Sequence, residues 1–309
     1  MISLVAGGAG FVGSHLCDRL IAEGDDVICL DNLITGRCEN IDALTAHPRF
    51  TFVSHDIIDD LPSLPRVDRI FHLASPASPR AYQLYPIETM RANSEGTRRL
   101  LELAARDGAR FVYTSTSEVY GDPLQHPQRE DYWGNVNPVG PRSMYDEAKR
   151  YGEALIVTYA EARSINTAIA RIFNTYGPRM RPDDGRIISN FITQCLRGDA
   201  LTVHGDGSQT RSFQYVDDLI TGLILLAEST SRGPMNLGNP EEYTVLALAQ
   251  LIRDLTQSRS SIVFEPLPTD DPQQRRPDIT LAQRTLGWQP TVSVRDGLQR
   301  TIAYYRDNL

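Results

Sequence analysis

The sequence predicts an α/β fold, a doubly wound parallel sheet with a smaller C-terminal α/β lobe. Three observations carry that expectation. Short β-branched runs alternate with amphipathic stretches over the first 172 residues, the pattern of a parallel sheet with helices on both faces. A glycine-rich turn follows the first run directly, and beyond Asn174 the regular alternation gives way to Pro- and Gly-rich segments.

The strand candidates are residues 2–6, 26–30, 50–54, 69–73, 110–114 and 166–172. Between the first two, Val12, Leu16 and Leu20 recur every four residues, and further on Leu100, Leu101, Leu103 and Ala104 line one face of a second helix. Arg186 opens an apolar helix containing Ile187, Ile188, Phe191 and Ile192, and Leu201, Thr202 and Val203 read as a short strand. Residues 216–228 read as a helix and 235–237 as a strand that returns to the main sheet. The expected division is therefore a first domain over 1–172, rejoined by 212–237, and a second lobe over 173–309. There is no internal repeat and no low-complexity linker.

With 309 residues, 41% hydrophobic and 23% charged, the chain is ample for a packed core. Its net charge of −8, without clustering, argues against nucleic acid or a membrane as partner, since both are anionic. No apolar run approaches the roughly 20 residues that span a bilayer. Met1 leads straight into the first strand, which leaves no room for a signal peptide and sets the expectation of a cytoplasmic protein. Cys17, Cys29, Cys38 and Cys195 lack metal-ligand spacing, so reduced thiols and no metal site are expected. Of the 31 basic residues every one is arginine except Lys149. Most surface positions accept either cation, so that exception marks a place where arginine may not serve.

The turn after the first strand is Gly7-Gly8-Ala9-Gly10-Phe11-Val12-Gly13, which satisfies GxGxxG and also the spacing GxxGxxG. Glycine lets the backbone turn tightly and approach a pyrophosphate, and the following helix aims its N-terminal amides at the phosphates. Asp31 ends the second strand, eighteen residues after Gly13. A carboxylate there accepts hydrogen bonds from ribose hydroxyls and repels a 2′-phosphate, favouring NAD over NADP, with Arg37 the one nearby residue that softens the choice.

Tyr145 and Lys149 stand four apart on one helical face. A hydride leaves a carbinol carbon only if the hydroxyl proton is taken too, and a phenol can take it when nearby positive charge pulls its pKa toward neutrality. An ammonium on a flexible stem suits that place better than a planar fork. Such pairs arise by chance on many helices, but only Lys149 and Arg163, two of 31 cations, follow a tyrosine by four. At the end of the fifth strand, Thr114, Ser115, Thr116 and Ser117 offer hydroxyls where open α/β sheets place ligands.

With these pieces the chain resembles the extended short-chain dehydrogenase/reductases and, among them, the UDP-glucuronate decarboxylase (UDP-xylose synthase) family. The resemblance spans nearly the whole length and rests on HLASPASP (72–79), STSEVYGDP (115–123), YWGNVNP (132–138), ARIFNTYGPRM (170–180), GDGSQTRSF (205–213) and DPQQRRPDI (271–279), followed by Leu286-Gly287-Trp288. Met144, Ala148 and His204 depart from the usual Cys, Gly and Tyr. None of the three removes a group the chemistry needs.

The resemblance implies a Rossmann fold that holds NAD along Gly7, Gly8, Gly10, Phe11, Val12, Gly13, Asp31, Asn32, Thr35, Gly36, Asp56, Ile57, Leu73, Ala74, Ser75, Tyr145 and Lys149. Tyr145 and Thr116 would act at the C4 hydroxyl of a UDP-sugar. The resulting 4-ketone makes the C5 carboxylate a β-keto acid that loses CO₂, and return of the hydride gives UDP-xylose with NAD regenerated. Where the related 4,6-dehydratases carry an aspartic acid this chain has Ser117, and where 4-epimerases carry a small residue it has Glu118, suited to proton management at C5. Arg275 would face the substrate carboxylate. Pro79, Tyr82, Asn174, Arg179, Arg186, Leu201, Val203 and Arg211 would complete the sugar and diphosphate contacts. A nucleotide-sugar 4-epimerase or 4,6-dehydratase, and a non-catalytic NAD-binding protein, are the rival readings. A homodimer through the helices bearing Tyr145 and Leu100 follows from the resemblance alone.

Overall fold

The computed structural model describes residues 1–267 and 274–309; Asp271, Pro272 and Gln273 of the run 271–279 lie outside the described residues. Seven parallel strands form the main sheet: β1 (Ile2–Ala6), β2 (Asp26–Asp31), β3 (Phe50–Ser54), β4 (Arg69–His72), β5 (Arg110–Thr116), β6 (Thr167–Ile172) and β7 (Met235–Leu237). Their spatial order is β7-β6-β5-β4-β1-β2-β3. The chain therefore reverses direction across the sheet at β1, and the crevice between the ends of β1 and β4 is where such sheets bind ligands.

Alternate residues of each strand feed two cores. Val5, Val27, Cys29, Phe71 and Val112 face Leu16 and Leu20 of α1 (Phe11–Ala22) together with Leu219 and Leu223 of a helix over Val216–Glu228. Leu4, Ala6, Ile28, Leu30, Ile70 and Phe111 face Leu100 and Leu101 of the helix Thr97–Asp107 and Ile156 of the long helix Ser143–Arg163. The apolar stripe at Leu100 is thus spent on the sheet, not on the surface.

The segment expected to return does so: Met235, Asn236 and Leu237 pair in parallel with Ala170, Arg171 and Ile172. Strand β5 runs two residues further than its apolar run suggests. The ladder to β6 continues through Ser115↔Arg171 and Thr116↔Ile172, which holds the hydroxyls on rigid strand rather than on a turn.

The C-terminal lobe packs helices Ile187–Arg197, Val245–Thr256 and Val294–Asn308 with small sheets, two of which bear on the site. In one, Leu201–His204 runs parallel to Ile262–Glu265. In the other, Thr210–Ser212 lies between Glu242–Thr244 and the two-residue strand Gln274–Arg275, which sets Arg275 beside Arg211. Cys17, Cys29 and Cys195 are buried and Cys38 is exposed, all as free thiols. Among the described residues no helix is long and apolar enough to cross a membrane.

Candidate active site

A cavity of about 760 Å³ opens at the C-terminal ends of β1, β4 and β5 and continues under the C-terminal lobe. At one end the glycine turn forms its floor. Gly7 has φ +83°, and a Cβ there would lie 2.7 Å from the Ala74 nitrogen at the end of β4. A Cβ on Gly13 would fall 2.1 Å from the Gly7 carbonyl, so these two glycines close the turn against the protein itself. Gly10, the N-cap of α1, is different: its Cβ would meet only the Gly7 carbonyl, at 3.2 Å, and would otherwise stand in the cavity. Gly8 does not reach the wall. It lies behind the turn, where a Cβ would strike the Cys29 sulfur at 2.5 Å. Phe11, Val12 and Gly13, whose amides belong to the first helical turn and lack intrahelical acceptors, line the cavity.

Further along this end, the buried Asp31 accepts the Ala9 amide at 3.0 Å and the Leu33 amide at 2.8 Å. Burial pushes its carboxyl up from the ordinary value, against the pull of those two amides. Asn32 donates to Asp56 at 2.7 Å. Asn32, Thr35, Asp56, Ile57, Leu73, Ala74 and Ser75 all lie on the wall. Gly36 does not; a Cβ there would meet the Asp31 carboxylate at 2.8 Å. Arg37 leaves the wall too. Its guanidinium reaches Asn40 at 3.5 Å and lines a separate small hollow with Arg179, Tyr304 and Tyr305.

In the middle, Tyr145 and Lys149 face the cavity one turn apart on the helix Ser143–Arg163. The Tyr145 ring, 5% exposed, stacks on Tyr82 with centroids 5.0 Å apart and planes 12° apart. Lys149 donates to the Thr114 carbonyl at 2.8 Å, and its Nζ stands 4.7 Å from the Tyr113 ring centroid and 6.0 Å from that of Tyr145. Burial pushes the ammonium down to about 7, with Glu153 pulling the other way. An acidic phenol is the expectation, yet burial drives Tyr145 well above its ordinary value; a hydrogen bond with Thr116 and the charge of Arg186 favour the phenolate, while Glu118 and Asp146 oppose it. The reason is desolvation. The same dry wall penalises both charged forms, and the protein's own groups do not offset that.

At the other end, Glu118 is gripped by two guanidiniums. Arg142 reaches one oxygen at 2.5 Å and Arg275 the other at 3.0 Å. Burial would raise this carboxyl, but Arg275, Arg142 and Arg211 outweigh it and hold the group at about 2. It is therefore a carboxylate at neutral pH. Arg275, 2% exposed, also donates to the Ser117 hydroxyl at 3.0 Å and the Gly121 carbonyl at 2.8 Å. Behind Arg142 lies Asp146, which burial and the Glu118 charge push up to about 7. Arg142 was not legible in the sequence. It stands three residues before Tyr145, but in a chain whose cations are nearly all arginine nothing sets it apart.

Pro79, Tyr82, Asn174, Arg179, Arg186 and Arg211 line the same cavity. Arg186 is held by Asp184 at 2.5 and 2.9 Å and Arg179 by Asp18 at 2.7 Å. Leu201 and Val203 are not on the wall. The period of two turns them fully into the core and presents Thr202 and His204 instead, so side-chain contacts there come from the neighbours of the residues expected.

The chain is similar to known proteins along almost its whole length. Residues 3–238 match the model of the NAD dependent epimerase/dehydratase family. UDP-glucuronic acid decarboxylase 1 of Arabidopsis thaliana is 53% identical over 306 residues, covering 99% of this chain and 70% of that protein. Among solved structures, UDP-glucuronic acid 4-epimerase of Bacillus cereus in complex with UDP-glucuronic acid and NAD is 30% identical with a TM-score of 0.89 over 100% of both chains. A dTDP-glucose 4,6-dehydratase of Streptomyces venezuelae with NAD bound is 31% identical with a TM-score of 0.91, over 100% of this chain and 98% of that one.

Proposed function

The chain belongs to the NAD dependent epimerase/dehydratase family, and from that premise we propose that it decarboxylates UDP-glucuronate to UDP-xylose through a UDP-4-keto sugar, with NAD returned oxidised in every cycle. The residues at the glycine end fit that cofactor. The open side of Gly10, the free amides of α1 and the Asp31 carboxylate would hold its pyrophosphate and adenosine ribose. Arg37 lies off the cavity wall, its guanidinium turned toward Asn40, and leaves Asp31 to face the adenosine ribose, which supports NAD over NADP. When bound, NAD supplies a hydride acceptor that later becomes the donor, and a cationic ring beside Tyr145.

As a phenolate, Tyr145 would take the C4 hydroxyl proton and Thr116 would bond the same oxygen, while Lys149, fixed by the Thr114 carbonyl, would hold the nicotinamide ribose. The ketone at C4 makes the C5 carboxylate labile. Glu118, Arg142 and Arg275 surround the place that carboxylate would take, and their combined charge of one carboxylate and two guanidiniums is net positive. That grouping carries the assignment. A dehydratase needs an acid at the Ser117 position, and Ser117 is here a hydroxyl held by Arg275. Held as a carboxylate, Glu118 manages a proton at C5 through water rather than from a store of its own. Asn174, Arg179, Arg186 and Arg211 would grip the sugar and diphosphate.

A homodimer completes the reading. Exposed Leu84 (64%), Ile87 (61%) and Met90 (47%), with Tyr151 (53%) and Val157 (48%) of the helix bearing Tyr145, support it.

Incubation with UDP-glucuronate and NAD, followed by product mass, tests the function. Loss of one CO₂ with no net reduction of NAD is expected; an isomer of unchanged mass, loss of water, or no reaction would each replace this assignment with one of its rivals.

A further inference from the structure

Arg275 must be set against Glu118 and Ser117 from the far side of the chain, yet the strand that carries it has only two residues, Gln274 and Arg275. One edge of that strand is registered by Arg211. Across from it stands Gln128, completely buried, on the segment that follows Gly121. Both backbone groups of Arg276 end on this residue. The Arg276 carbonyl accepts the Gln128 amide at 2.9 Å, and the Arg276 amide donates to the Gln128 side-chain oxygen at 2.8 Å. The Gln128 carbonyl then accepts the Asp278 amide at 2.8 Å and the Asn236 side chain at 3.0 Å. Its side-chain nitrogen donates to the Gln125 carbonyl at 2.7 Å. The side-chain amide thus does what a further strand on that edge would do.

We infer that Gln128 is a positioning residue for the decarboxylation step, fixing where the Arg275 guanidinium meets Glu118 without itself reaching the cavity. The inference rests on the proposed decarboxylase reading. Burying a carboxamide costs free energy unless its hydrogen bonds are made, and here they hold the backbone one residue from Arg275. Gln128 has no hydrogen bond to Tyr145, Lys149 or Thr116. A fault at Gln128 therefore falls on the carboxylate end and spares C4 oxidation.

The test replaces Gln128 with Met, which keeps volume and removes the acceptor for Arg276, and with Glu, which keeps an acceptor. Wild-type enzyme serves as the control: if it releases no CO₂ from UDP-glucuronate, the functional reading fails, not this inference. Given an active wild type, Gln128→Met should lower kcat on the order of tenfold to a hundredfold, the scale of a misplacement near 1 Å. During turnover it should accumulate the near-ultraviolet absorbance of reduced nicotinamide, and Gln128→Glu should recover part of the rate. On an Arg275→Ala background, Gln128→Met should cost nothing more. Parallel loss of oxidation and decarboxylation, additive effects in the double variant, or unchanged kinetics would each overturn the inference. If Gln128→Met yields no folded protein, Gln128→Asn, one methylene shorter, is judged by the same accumulation.

Discussion

Thr116, Tyr145 and Lys149, in the middle of the cavity, come from the end of one strand and one turn of one helix, whereas Ser117 and Arg275, at its sugar-acid end, are hydrogen-bonded across 158 residues of chain. The first group is placed by elements with a fixed period: β5, tied to β6, and a helix whose i, i+4 positions share a face. The second depends on the C-terminal lobe closing over the sheet. Their electrostatics differ as well. Burial works against both charged groups in the middle, pushing Lys149 down and Tyr145 up. At the far end three arginines outweigh burial and keep Glu118 ionised. In one region the charge that would favour the phenolate belongs to the NAD ring, whereas the other supplies its own positive charge. Oxidation and decarboxylation should therefore be separable by substitution.

The largest effect expected is at Tyr145. Tyr145→Phe keeps the stack on Tyr82 and removes the proton acceptor, so oxidation at C4 should fall on the order of 10²- to 10⁴-fold, with no reduced nicotinamide formed on mixing with substrate. Appreciable turnover in this variant would erase the distinction between the two regions. Glu118→Ala should cost less, on the order of 10- to 100-fold in CO₂ release, and should leave reduced nicotinamide standing. If that variant also failed to reduce the cofactor, the two regions would be one unit.

Asp31→Asn tests the glycine end. Loss of the anionic acceptor should weaken NAD about tenfold and narrow its preference over NADP, measured by titration of both cofactors. The last effect concerns pH and is read as stability. Lys149 in the folded protein stands at about 7 against an ordinary 10.5. Between those values the unfolded chain holds the extra proton, so stability rises with pH. Lys149→Met removes that rise. Its stability relative to wild type should be highest near about pH 6 and shrink toward about pH 9 in denaturant melts, and parallel curves would mean that burial does not depress the ammonium.

Much of the cavity is legible in the sequence because local rules place it. The glycine turn, Asp31, the hydroxyls at the end of β5 and the Tyr145–Lys149 pair are all fixed by spacing within single elements, and the return of residues 235–237 to the sheet follows from an apolar helix and a short strand. What escapes is set by tertiary contact. Arg142 looks like any other arginine until Glu118 is seen against it. Leu201 and Val203 sit in the right strand, but a period of two decides which neighbours face inward, and only packing reveals the phase. Gly8 belongs to the motif, yet a Cβ there would meet Cys29. The perturbed Tyr145 and Lys149 values come from depth of burial, which spacing does not encode.

Rapid mixing of the Arg275→Ala variant with UDP-glucuronate and NAD, with reduced nicotinamide and CO₂ followed in the same sample, tests the separation most directly. Reduced nicotinamide should rise toward one equivalent per chain while CO₂ lags far behind. If the two rise together at the wild-type rate, or if neither appears, then Arg275 does not divide the reaction where the structure divides the cavity.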